Sequence, residues 1–140
     1  MRKIMGVITI VLALVIGILP AFTDCLSQGR TLELANGKTV PMKCHWTGIA
    51  EIGVTIPLLL VGIFEITSKR KETFTVLSVF GVVLGALAIL FPTFLIGVCA
   101  NPDMICNLIM KPALVLSGAL AIIASIVVFI SSRKLVESNV

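Results

Sequence analysis

Four stretches of this sequence, residues 4–22, 48–66, 74–98 and 112–130, each run for about a hydrocarbon thickness with almost no charge in them. An α-helix rises 1.5 Å per residue, so ~20 apolar residues cross the ~30 Å core of a bilayer. Inside the four stretches the only acidic or basic side chains are Glu51 and Glu65, both in the second. A 140-residue chain that is 58% apolar, 13% charged and of mean hydropathy +1.15 has too little polar surface to enclose itself in water. The expected architecture is an all-α membrane protein. It is an antiparallel four-helix transmembrane bundle, a single domain over residues 1–140.

Cations at the borders set the expected orientation. Arg2, Lys3, Lys69, Arg70, Lys71, Arg133 and Lys134 flank one side, and Arg30, Lys38, Lys43 and Lys111 the other. The cation-rich side is expected in the cytoplasm of a cytoplasmic membrane, with both termini there. Residues 23–47 and 99–111 then form outer loops, residues 67–73 an inner loop, and residues 131–140 a frayed cytoplasmic tail. The first stretch is read as a retained span, because Leu19-Pro20-Ala21-Phe22-Thr23-Asp24 has no small-x-small cleavage pattern. The basic residues lie between apolar runs without aromatic interleaving, so no nucleic-acid partner is expected.

In the first outer loop, Asn36-Gly37 between Thr31-Leu32-Glu33-Leu34 and Thr39-Val40 predicts a β-hairpin with a two-residue type I′ turn, closed before Pro41. Asn101-Pro102-Asp103 marks a turn in the second. Thr47 is a candidate N-cap for the second helix, and Pro57 a candidate kink within it. Glu65 lies four residues before Lys69, a spacing that predicts an interfacial ion pair.

The chain also reads as two similar halves. Leu19-Pro20-Ala21-Phe22 leads to Cys25 and Phe91-Pro92-Thr93-Phe94 to Cys99, while Met42-Lys43-Cys44 and Met104-Ile105-Cys106 open the even-numbered spans. Two helical hairpins of equal orientation imply a pseudo-two-fold axis along the membrane normal. Small residues at helical spacing, Ala13 and Gly17, Gly81 and Gly85, and Ser117, Ala121 and Ser125, are expected to face neighbouring helices, of this chain or of a partner.

The cysteines are the residues with most chemistry to offer. In an oxidising compartment, Cys25 with Cys44 and Cys99 with Cys106 would bridge, each disulfide closing one hairpin. If reduced, Met42, Cys44, His45, Met104 and Cys106 form a soft donor set suited to copper or a haem. A third use is thiol-disulfide exchange, for which the layout, not the motif, resembles quinone-linked proteins that reoxidise disulfide catalysts; there is no Cys-x-x-Cys here. His45 and Trp46 stand at the start of the second span, where an indole favours the headgroup level. Glu51 lies inside it, where a carboxylate is costly and marks a candidate site.

The Met42-Lys43-Cys44-His45-Trp46-Thr47 loop and the second loop with Cys99 and Met104-x-Cys106 resemble a family of short prokaryotic four-span membrane proteins known only as a domain of unknown function. The resemblance covers nearly the whole chain and implies a prokaryotic membrane and no assigned activity, so no catalytic residues follow from it. No nucleotide loop, catalytic triad, H-E-x-x-H or carboxylate pair is present. The functional expectation is a non-catalytic accessory or interaction component of a larger membrane assembly such as a transporter, without a resident cofactor. The alternative is an extracytoplasmic thiol oxidoreductase, or a copper or haem handling protein.

Overall fold

A computed structural model describes residues 2–68 and 70–137. Each apolar stretch forms a helix: α1 is Arg2–Thr23, α2 Lys43–Thr67, α3 Lys71–Leu90 and α4 Lys111–Glu137. A π-helical turn, Phe91–Leu95, continues α3, and another, Cys106–Met110, leads into α4. All four helices are long and apolar enough to cross a membrane. Large side chains such as Ile4, Phe22, Ile56, Phe80 and Phe94 remain exposed on the outside of the bundle, which is stable only where hydrocarbon is the solvent. The chain is a multi-pass, all-α membrane bundle.

The most extensive packing is α1 on α2 and α3 on α4, and the ring closes through α1 with α4 and α2 with α3. Exchanging the first hairpin for the second maps that neighbour pattern onto itself. The π turns break the likeness, since both belong to the second half. Proline accompanies each: Pro92 sits within the first and Pro112 two residues beyond the second. A proline has no N–H for the ordinary bond four residues back, and the ladder adjusts with a wider turn. Pro57, by contrast, is carried within an unbroken α2.

Backbones touch where glycines face each other. A Cβ on Gly85 would stand 2.9 Å from the Gly118 carbonyl oxygen, and one on Gly6 2.9 Å from that of Gly62. Gly17 packs against Thr55 and Gly81 against Ser125. Ala13, Ser117, Ala121 and Ser125 are buried in the same layers. Ser117 and Ser125 donate to their own helix at the carbonyls of Ala113 and Ala121, at 2.7 and 2.8 Å. Their hydroxyls are thereby satisfied, and contact between helices is left to small side chains and backbone.

Three local expectations are revised. Strands β1 (Leu32–Glu33) and β2 (Thr39–Val40) pair antiparallel, Leu32 opposite Val40, but the turn is not type I′. Gly37 alone has positive φ, +73°, and its N–H donates to the Leu34 carbonyl at 2.9 Å while Leu34 N–H donates to Lys38. That is a three-residue loop, Ala35-Asn36-Gly37, which requires one left-handed residue rather than two. Thr47 does not cap α2, because the helix starts at Lys43 after an extended Met42. Polar Lys43, His45 and Thr47 lower the hydropathy there without preventing helix. At the other end, α4 stays helical beyond Ile130 to Glu137 where a frayed tail was expected; residues 138–140, like Lys69, lie outside the described part.

Candidate metal centre

The ends of all four helices carry one cysteine each to a common point. Cys25 follows the C-terminus of α1 by two residues, Cys44 lies in the first turn of α2, Cys99 follows the π turn of α3, and Cys106 opens the π turn before α4. The four Sγ atoms lie within 4.8 Å of one another. Cys25 is 2.9 Å from Cys106 and 3.2 Å from Cys99, and Cys99 is 3.4 Å from Cys44. Four sulfurs at ~2.3 Å from one tetrahedral ion would be about 3.8 Å apart, inside the range seen here. The space suits a single ion and leaves no slot between the sulfurs for the plane of a haem.

The cysteines are free thiols: Cys25, Cys44 and Cys106 are buried, and Cys99 is half-buried. The structure shows no bridge among them, within a hairpin or between the halves. Sulfurs of the two hairpins interleave, and the contact between Cys25 and Cys106, 2.9 Å, crosses from one half to the other. The sequence repeat suggests two separate pairs. Because the two hairpins pack against each other through α1 with α4 and α2 with α3, the cysteines at their ends merge into one group of four.

Surrounding bonds hold the sulfurs in place. The Cys25 N–H donates to the Cys44 sulfur at 3.3 Å, and the Cys106 thiol to the Thr23 carbonyl at 3.4 Å. The Thr47 hydroxyl donates to the Gly97 carbonyl at 2.6 Å, tying the second loop to α2. Gly97 has φ of +78°, a left-handed conformation that turns the chain from the π turn toward Cys99. Asn107 Nδ2 donates to the Cys99 carbonyl at 3.3 Å. Burial first, and then the neighbouring sulfurs of Cys106, Cys44 and Cys99, push the Cys25 thiol well above the ordinary thiol range. A thiolate there needs a cation beside it.

The remaining sulfur donors flank the group. Met42 Sδ is 3.8 Å from Cys99 Sγ, and Met104 packs against the same core. His45 is directed elsewhere: its Nδ1 is 2.9 Å from Asp24 Oδ2, and since a carboxylate only accepts, Nδ1 carries the proton. Burial works to raise the Asp24 carboxyl, but the bond to His45 and the Ser27 N–H at 2.7 Å outweigh it and hold the group below its ordinary value of 3.8. Trp46 is exposed in the first turn of α2, edge-on to His45. Of the soft donor set read from the sequence, Cys44 and Cys106 are central, Met42 and Met104 lie alongside, and His45 is an Asp24 partner. Cys25 and Cys99, which the sequence assigns to bridges or thiol exchange but not to the metal donor set, complete the group.

Both carboxylates of α2 turn inward. Glu51 is fully buried, and neither of its oxygens has a partner among the described residues. It lies seven residues, about two turns or ~10.5 Å, beyond Cys44 on the same helix face. Glu65 is 2% exposed, and its Oε2 accepts from the Thr9 hydroxyl at 3.2 Å. The expected partner, Lys69, lies outside the described residues. Sequence reasoning misses Thr9, although it is the one hydroxyl residue in the apolar stretch 4–22.

A family model described as a domain of unknown function (DUF4418) matches residues 4–131. No curated protein and no solved structure matches the chain.

Proposed function

The chain belongs to the DUF4418 family, and from its own geometry we propose that it is a membrane-anchored holder of one soft or borderline metal ion, bound by Cys25, Cys44, Cys99 and Cys106. The observation that carries this reading is the convergence of four sulfurs, one from each helix end, within 4.8 Å. A site filled by four protein sulfurs has no open position for water or substrate, which is the arrangement of structural and carrier sites rather than catalytic ones. The protein is accordingly a non-catalytic component of a larger membrane assembly, serving a partner in the same bilayer. The border cations support an orientation with the sulfur end outside the cytoplasm and both termini within it.

A second reading has support from one specific contact pattern. Cys25 with Cys106 and Cys44 with Cys99, at 2.9 and 3.4 Å, are also positioned for two disulfides between the halves, and an oxidising compartment favours them. Purification in mild detergent without reductant, alkylation, and mass measurement with metal analysis separates the two. The metal reading expects one ion per chain and four thiols that react only after a chelator is added. Four unreactive cysteines with mass deficits for two bridges, and no metal uptake after reduction, would overturn it.

A further inference from the structure

Cys44 and Cys106 are buried and line neither outer cleft, whereas the half-buried Cys99 opens on a cleft of about 380 Å³. Met42 and Met104 both line that cleft, each half-buried and each two residues before a cysteine of the sulfur group. Among the described residues no carboxylate lines it, and its one charged residue is Lys43. A second cleft, of about 340 Å³, reaches Cys25 past Arg30 and Asp103 and shares Met104 as a wall. Resting on the four-sulfur centre proposed above, we propose that the Met42–Met104 cleft is an entry port for a monovalent soft cation, copper(I), which Cys99 receives from the two thioethers and passes to Cys25, Cys44 and Cys106.

The donor chemistry selects the ion. Thioether sulfur is neutral and soft, binds copper(I) without losing a proton, and has little hold on zinc, which prefers imidazole or thiolate, or on magnesium, which prefers oxygen ligands. With no carboxylate on its wall, the cleft has no hard oxygen anion to recruit a hydrated dication, and the Lys43 ammonium repels a doubly charged ion more than a singly charged one. Met42 Sδ at 3.8 Å from Cys99 Sγ lets a single ion touch the entry thioether and the first thiolate together. As each thiol becomes a ligand its proton leaves to solvent through the cleft, and the copper stays in the +1 state throughout.

The test uses the full chain in detergent, reduced and anaerobic, loaded with copper(I) from a coloured chelator, with rate and stoichiometry read separately. The double variant Met42→Leu with Met104→Leu keeps apolar volume and is expected to retain one ion per chain but to load more slowly by about tenfold, the scale on which removing one modest interaction raises an entry barrier. Its zinc loading is expected to match the parent protein, which also shows that the sulfur centre is intact. Copper loading at the parental rate, or an equal slowing for zinc, would overturn the entry port while leaving the centre standing. Failure of the reduced parent protein to bind either metal overturns the centre itself and the port with it.

Discussion

Gly118→Ala would add one methyl where two helix backbones touch. The new Cβ would stand 2.8 Å from the Gly85 carbonyl oxygen and 2.8 Å from Ile89 Cγ1. The side chain can swing away, but the carbonyl belongs to α3 and cannot move alone. The oxygen contact is about 0.5 Å shorter than the ~3.3 Å at which carbon and carbonyl oxygen ordinarily meet, so α3 and α4 must part locally. Overpacking of this kind costs about 1–3 kcal/mol, against which alanine's helix preference over glycine returns about 0.8–1.0 kcal/mol. The net expectation is a loss of about 0–2 kcal/mol. Gly53→Ala supplies the reference, since Gly53 is exposed in α2 and a Cβ there meets nothing within 4 Å. It keeps the helix gain without the clash, so the two variants should differ by about 1–3 kcal/mol. Reversible unfolding by dodecyl sulfate in mixed micelles, followed by helical circular dichroism, measures both. Equal shifts for the two substitutions would refute a bundle held at the Gly85–Gly118 contact.

Other outcomes follow from the polar groups in the interior. Thr9→Val strips Glu65 of its hydroxyl partner and is expected to cost about 1–3 kcal/mol, yet to be near neutral in a Glu65→Leu background; the double-mutant cycle reads the coupling. Glu51→Leu removes a buried carboxyl that has no partner among the described residues and is expected to raise stability by about 1–3 kcal/mol. A fall instead would mean that the carboxyl is satisfied by a group the structure does not contain. Asp24, held below its ordinary 3.8, contributes stability that is present above that value and is lost as pH falls through the lowered one. Thermal unfolding of the parent protein and Asp24→Asn should therefore differ at pH 6 and converge toward pH 2.

The helices were legible because a membrane leaves few options: length and apolarity alone locate a span. Helix ends were less so, since Lys43, His45 and Thr47 at α2 and the residues beyond Ile130 at α4 are polar yet helical. The turn at Gly37 illustrates a finer ambiguity, because Asn-Gly serves a two-residue loop and a three-residue loop equally well, and strand register decides between them. The four cysteines were visible as a repeated pattern, but spacing along the chain says nothing about distance between the ends of two packed hairpins. For that reason the pairing within hairpins looked natural and the meeting of all four sulfurs could not be read. Glu65 shows the same limit: Thr9, 56 residues away, donates to its carboxylate, a contact that spacing along the chain does not reveal.

X-ray absorption at the metal edge of the loaded protein tests the four-sulfur centre most directly. With zinc in the reduced chain, one ion per molecule should show a single shell of four sulfurs at about 2.3 Å, and Cys25→Ser or Cys99→Ser should each replace one sulfur by a lighter atom or abolish binding. A shell dominated by nitrogen or oxygen, or one that keeps its sulfurs when Cys25 and Cys99 are both serine, would contradict the account.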